Sequence, residues 1–285
     1  MTADPILVLS WLVLAHLAAD FVLQTEHMAT AKFGDGREAW RALASHVAVV
    51  GLLVAPAFLV FGLPGLVFVA LTVVAHIAID RTKIVLTHRV EPRPASGAER
   101  TTEEVAAGPA LDPRWTAVPG ALFLLDQAAH LVVLLVGWAV LLANAAPLGV
   151  FTDIATTIRG TTDPATFHHL VTAGVVVVAL LIVNVRAASL FIATLVRPPA
   201  ARRPGTDASE ARVGAVIGIL ERLLICALVV GGAVATIGLV IAAKTLARFK
   251  QLDDREFAEY YLLGTLASVT IAVSSSLLGQ AILAR

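Results

Sequence analysis

The stretch PILVLSWLVLAHLAADFVLQ, residues 5–24, decides how the chain is read. Outside Ser10, His16, Asp20 and Gln24 it is apolar, and its twenty residues would make a helix of about 30 Å, the thickness of the hydrocarbon core. His16 and Asp20 stand four residues apart, one turn, and so share a helix face. An ionised Asp at mid-bilayer costs about 2.5–3.5 kcal/mol on insertion scales, and such residues face the protein interior and mark function. The segment therefore reads as a spanning helix with one polar, inward face. It lacks a basic leading region, and cleavage as a signal peptide would discard His16 and Asp20, so it is expected to be retained.

The same pair recurs as His76–Asp80 and, reversed, as Asp126–His130. A lone membrane histidine is more often a hydrogen-bonded packing residue, but three matched pairs are hard to explain as packing. His46 joins them near the start of another apolar run. His and carboxylate are ordinary ligands of Zn²⁺ and other first-row metals, and an i,i+4 pair suits a shared ion. The expected ligands are thus His16, Asp20, His46, His76, Asp80, Asp126 and His130 around a divalent metal, zinc by preference. Seven exceed one tetrahedral shell, so some would orient the ligating groups, or two ions would bind.

Composition agrees with a membrane setting. The 285 residues are 58% hydrophobic and only 15% charged, against about 25% in soluble domains. The 21 basic residues equal the 21 acidic ones, which gives no support for nucleic-acid binding through global charge. The one cysteine, Cys226, excludes an intramolecular disulfide. No Gly-rich phosphate loop, HExxH or CxxC motif is present.

Apolar runs predict an all-α, polytopic transmembrane bundle with spans near 5–24, 40–61, 65–88, 119–143, 166–196, 211–230, 232–249 and 258–282. Residues 211–249 would extend about 58 Å as one helix, so Gly231-Gly232 is expected to break them; unbroken, they leave seven spans in place of eight. With eight spans and an outside N-terminus, Lys32, Arg37, Arg41, Arg89, Arg93, Arg100, Arg114, Arg197, Arg202, Arg203, Arg212, Lys250 and Arg255 all fall in cytoplasmic connections. That pattern predicts that both termini lie outside. Residues 1–143 form a four-span polar-site bundle, with a flexible cytoplasmic loop at 89–118, and 144–285 a C-terminal membrane bundle. A linker at 197–207 precedes the last spans. In this orientation each Asp lies one turn nearer the cytosol than its His, with His46 at the Asp level.

Other polar residues have simpler expected roles. Arg81 and Lys83 would snorkel to the interface or, functionally, hold an anionic lipid headgroup. Gln127 is offset by about 100° from Asp126 and need not share the site. Arg186 could pair with Glu221 across helices, beside Arg222. His27, His88, His168 and His169 are read as interfacial, and Ser274-Ser275-Ser276 as small-residue packing.

HLAADFVLQ (16–24), then Lys32 and His46, AHIAIDRTK (75–83) and LFLLDQAAHL (122–131) together resemble a bacterial integral membrane family, domain of unknown function 3307. IGILERLL (217–224), AAKTLARF (242–249) and EYYLLGTLAS (259–268) are similar to its longer members. The resemblance implies an inner-membrane location and a polar core on these residues, and carries no reaction.

The expected function is a membrane-embedded, metal-dependent hydrolase of a lipid or lipid-linked substrate. Asp20, Asp80 and Asp126 would complete the metal shell, one remaining as general base, and Arg81 or Lys83 would receive the headgroup. The alternative is a transporter or an ion or proton pathway through the same cluster. A site closed on its His side favours the enzyme; polar residues continuing to both faces favour transport.

Overall fold

The computed structural model describes residues 5–90, 116–196 and 208–284. Most of the predicted 89–118 loop and all of the 197–207 linker lie outside the described residues. Among those described there are helices and no strands: α1 Pro5–Ala18, α2 Glu26–Ala31, α3 Gly36–Val54, α4 Pro56–Phe61, α5 Leu63–Val90, α6 Val118–Gly137, α7 Gly149–Arg159, α8 Pro164–Ile182, α9 Ala188–Val196, α10 Ala208–Val230, α11 Ile237–Ala247 and α12 Arg255–Leu283. An isolated strand would leave backbone groups unpaired in lipid, so an apolar chain of this length resolves into helices.

Among the described residues, seven helical segments are long and apolar enough to cross a membrane: Pro5–Leu23, Gly36–Phe61, Leu63–Val90, Val118–Leu142, Pro164–Val196, Val213–Val230 and Phe257–Leu283. The break at Gly231-Gly232 occurs as expected, because Gly232 takes φ +76°, a left-handed conformation that favours glycine. The apolar segment after it, Val234–Ala247, is about 20 Å long at helical rise, short of a straight ~30 Å crossing. The count of long spans is therefore the lower of the two considered.

Three spans contain a five-residue π-helical segment: Ala19–Leu23, Trp138–Leu142 and Val183–Ala187. Such segments shift the register of the helix beyond them and are frequent at functional sites. The first carries Asp20.

The described residues fall into two compact units. The first takes in 5–89 and 124–182. Here α1 packs on α3 and α8, and α2 folds back on α3. Its apolar centre is Leu12, Val54, Ala57, Phe61, Phe68, Leu134 and Leu142. Pro56 begins α4 and Gly65 presses against it: a β-carbon there would lie 1.9 Å from the Ala57 carbonyl oxygen. Membrane helices associate largely by such packing, which is why a glycine is needed.

The second unit takes in 90, 116–123, 183–196 and 208–284. There α10 packs on α12 around Ile225, Cys226, Val229, Ile237 and Ala272. The single cysteine is an apolar core residue.

Candidate functional site

His16, His46, His76, Asp80, Asp126 and His130 are buried in the first unit, and Asp20 retains only 10% side-chain exposure. Helix geometry supplies three pairs, from α1 with its π segment, α5 and α6; α3 brings His46 between them. His46 Nε2 and His76 Nε2 are 2.9 Å apart, a hydrogen bond between two rings. The His76 ring centroid lies 4.1 Å from that of His130 and 6.3 Å from that of His16, and His16 stacks on His130 at 5.2 Å. All seven residues expected to form one site thus adjoin one another.

Asp20 Oδ1 is the centre of convergence. It lies 3.5 Å from His46 Nε2, 3.8 Å from His76 Nε2 and 3.8 Å from His16 Nδ1. No hydrogen bond satisfies this oxygen. On the other side of the His46–His76 pair, Asp80 Oδ2 lies 3.9 and 4.0 Å from the same two nitrogens. The two imidazoles stand between two carboxylates.

The carboxylates differ in what else they hold. Lys32 Nζ donates to Asp80 Oδ2 at 3.0 Å, with both side chains buried. Lys83 Nζ donates to Asp126 Oδ2 at 2.7 Å from a side chain 21% exposed. Lys32 sits just past α2, in the connection between two spans, and folds back into the site. Because it lies outside every apolar run, spacing and hydropathy placed it in a cytoplasmic connection, at most on the rim of the site, and the motif resemblance included it. Lys83 bonds inward to Asp126, while Arg81 lies over the Trp40 ring at 4.6 Å.

Gln127 also belongs to the site, contrary to the expectation from its helical offset. Its Oε1 accepts from His16 Nε2 at 3.2 Å, and its Nε2 donates to Asp20 Oδ2 at 3.2 Å and Asp126 Oδ2 at 3.1 Å. A side chain of this length spans the 100° offset. The detectable signal was a carboxamide beside an aspartate in an apolar span, costly to bury without partners.

These bonds fix ring chemistry. A carbonyl oxygen only accepts, so His16 Nε2 carries a proton, and in the neutral ring Nδ1, facing Asp20, presents a lone pair. His130 Nδ1 likewise donates to the Asp126 backbone oxygen at 2.8 Å, and its Nε2 has no hydrogen bond. A cavity of about 10 Å³, lined by His16, Thr72, His76 and His130 among apolar neighbours, adjoins the rings; that is roughly one water's room. Beyond it Leu12, Val54, Phe68 and Leu134 close the His side with buried hydrocarbon.

Among the described residues, three groups each have ligand atoms within 4.8 Å of one another: His16, Asp20 and His76; His46, His76 and Asp80; Asp80, Asp126 and His130. Lone-pair nitrogens and a carboxylate oxygen without a hydrogen bond are the donor chemistry of a divalent metal.

The remaining histidines stay outside this cluster. His88 bonds the Phe33 carbonyl from an exposed position, and His168 lies 3.5 Å from Thr172 Oγ1. In the second unit Glu221 pairs with Lys244, where Arg186 was the expected partner. Ser276, fully buried, bonds the Ala272 carbonyl of its own helix.

No curated protein and no solved structure matches the chain. The family model described as Protein of unknown function (DUF3307) matches residues 8–159, which contain every residue of the site and more than half of the chain. This polytopic membrane protein, with its buried His/Asp/Lys centre, belongs to the DUF3307 family.

Proposed function

We propose that the first unit holds one divalent metal, zinc by preference, and is the active centre of a membrane-embedded hydrolase of lipid or lipid-linked substrates. The observation that carries the reading is Asp20 Oδ1, without a hydrogen bond and ringed by three imidazole nitrogens at 3.5–3.8 Å. Four ligands about 2.0–2.1 Å from a tetrahedral zinc are themselves about 3.4 Å apart. The three imidazole nitrogens lie 3.5–3.8 Å from Asp20 Oδ1, and those of His46 and His76 are 2.9 Å apart, near that spacing before any ion draws them in.

Charge supports it. Three carboxylates face two ammonium groups, leaving one negative charge in excess with neutral imidazoles. A divalent ion bearing hydroxide contributes one net positive charge and balances the site. The metal would supply that hydroxide by lowering the pKa of bound water to near 7. Asp126, whose Oδ1 has no hydrogen bond, is the candidate base; Asp80 holds the site together through Lys32. Lys83, part-exposed, and Arg81 would receive an anionic headgroup arriving from the bilayer. The basic connections support an orientation with the Asp level toward the cytosol.

The rival reading, a proton or ion pathway, rests on the same charge excess, which one proton also balances. The apolar closure of the His side favours the enzyme, since a pathway would need polar groups through it. Metal analysis of the full chain in nanodiscs tests the reading. The expected result is one zinc per chain, lost in Asp20→Asn, with chelation lowering wild-type stability by about 2–3 kcal/mol at zinc near a hundredfold of Kd and leaving the variant unmoved. Metal-free wild type that carries protons into proteoliposomes would overturn it for the rival.

A further inference from the structure

His46 and His76 offer the same two nitrogens to two carboxylates. Asp20 Oδ1 is 3.5 and 3.8 Å from them; Asp80 Oδ2 is 3.9 and 4.0 Å. The geometry alone would let either complete a metal shell. The difference between the sides is an ammonium: Lys32 Nζ is 3.0 Å from Asp80 Oδ2, while Asp20 has only imidazoles and the Gln127 amide about it.

We propose that Lys32 is a built-in cation that closes a second metal position, made of His46, His76 and Asp80, and thereby assigns the ion to Asp20. The inference rests on the metal reading of the site. Like charges a few ångströms apart in a low-dielectric interior repel strongly, so a divalent ion cannot share Asp80 with the ammonium. The ammonium is held in place by burial: Lys32 is 5% exposed and Asp80 2%. It comes from outside the spans. Thr25 caps α2 by accepting from the Met28 backbone, and His88 of α5 clamps the Phe33 carbonyl next to Lys32. The connection between the first two spans is thus built to deliver one charge to one carboxylate. Lys83 acts likewise at Asp126, against the third group of donors, Asp80, Asp126 and His130. Two of the three donor groups carry an ammonium at a carboxylate; the group His16, Asp20 and His76 does not.

The test is zinc content of the full chain in nanodiscs after equilibrium dialysis, for wild type, Asp20→Asn, Lys32→Met, Asp20→Asn with Lys32→Met, and that pair with Asp80→Asn added. Wild type should hold one ion, and Asp20→Asn should weaken binding by more than ~100-fold, beyond what a partner of a ligand usually costs. Adding Lys32→Met to Asp20→Asn should restore one ion, because Asp80 is then free to ligate. Adding Asp80→Asn should remove it again. Lys32→Gln, neutral yet able to donate to Asp80, replaces Lys32→Met throughout if the latter does not fold. Zinc in wild type with none regained in the Asp20/Lys32 double variant overturns the inference and leaves the metal centre standing. No zinc in wild type but one in Lys32→Met overturns the native metal reading and supports the exclusion by Lys32. Equal zinc in wild type and Asp20→Asn overturns the preference for Asp20.

Discussion

Each unit buries charge among apolar helices, and the two treat it in opposite ways. In the second unit Arg222 is 3% exposed, and each of its three nitrogens has a partner: Nε donates to the Asn184 carbonyl, Nη1 to Ser268 Oγ and Nη2 to Ser189 Oγ. The Asn184 carbonyl lies in the π segment Val183–Ala187, where helical bonding departs from the regular pattern. Glu221 has Lys244, which also lies over the Tyr261 ring. In the first unit, Asp20 Oδ1, Asp126 Oδ1 and His130 Nε2 are buried without hydrogen bonds. Native interiors rarely leave polar atoms in that state, and a ligand is one of the few reasons they do. A cation satisfied on all sides is a staple between helices; a carboxylate left waiting among lone pairs is a receptor.

The sharpest way to break this contrast is Asp80→Asn. From sequence, removing an intramembrane carboxylate from Asp80 or Asp126 should spare the fold by relieving an insertion penalty. The structure reverses that expectation for Asp80, because its loss strands the Lys32 ammonium. The expected cost is about 3–5 kcal/mol, most of it recovered in the Asp80→Asn/Lys32→Met double variant, read by thermal unfolding in detergent. A single variant as stable as wild type would show that Lys32 reaches water and that the centre is looser than its burial implies.

Arg222→Leu comes next. It removes a buried charge and with it three hydrogen bonds; at about 0.6 kcal/mol per interhelical bond the loss is about 2 kcal/mol. Zinc content should not change, which separates staple from receptor. Loss of metal in this variant would tie the two centres together and dissolve the comparison.

Asp126→Asn has the smallest expected effect on stability, about 1 kcal/mol. Lys83 is part-exposed and can turn toward water, so its pairing behaves more like an exposed ion pair than a buried one. On the proposed mechanism the same variant keeps its zinc and loses turnover. An unfolding shift as large as that of Asp80→Asn would place Lys83 with Lys32 as a structural cation.

Much of this architecture was legible from the chain alone, and for a definite reason. A bilayer admits few ways to satisfy a backbone, so apolar runs of about twenty residues become helices, and the seven long ones begin and end within a few residues of where hydropathy put them. The Gly231-Gly232 break comes from glycine's freedom at positive φ. The three His–Asp pairs come from 3.6 residues per turn, and their cost in lipid turns them inward. What only the tertiary structure decided is the charge pattern of the site. Lys32 belongs to no span, Lys83 sits just beyond the second pair as a snorkelling cation would, and Gln127 points off the face of Asp126; local periodicity speaks for none of them. Each has a long side chain whose partner is chosen by which helix lies opposite, a non-local fact. Helix geometry brings three carboxylates to one place, and packing alone determines that two of them meet an ammonium and the third, Asp20, meets only imidazoles and an amide.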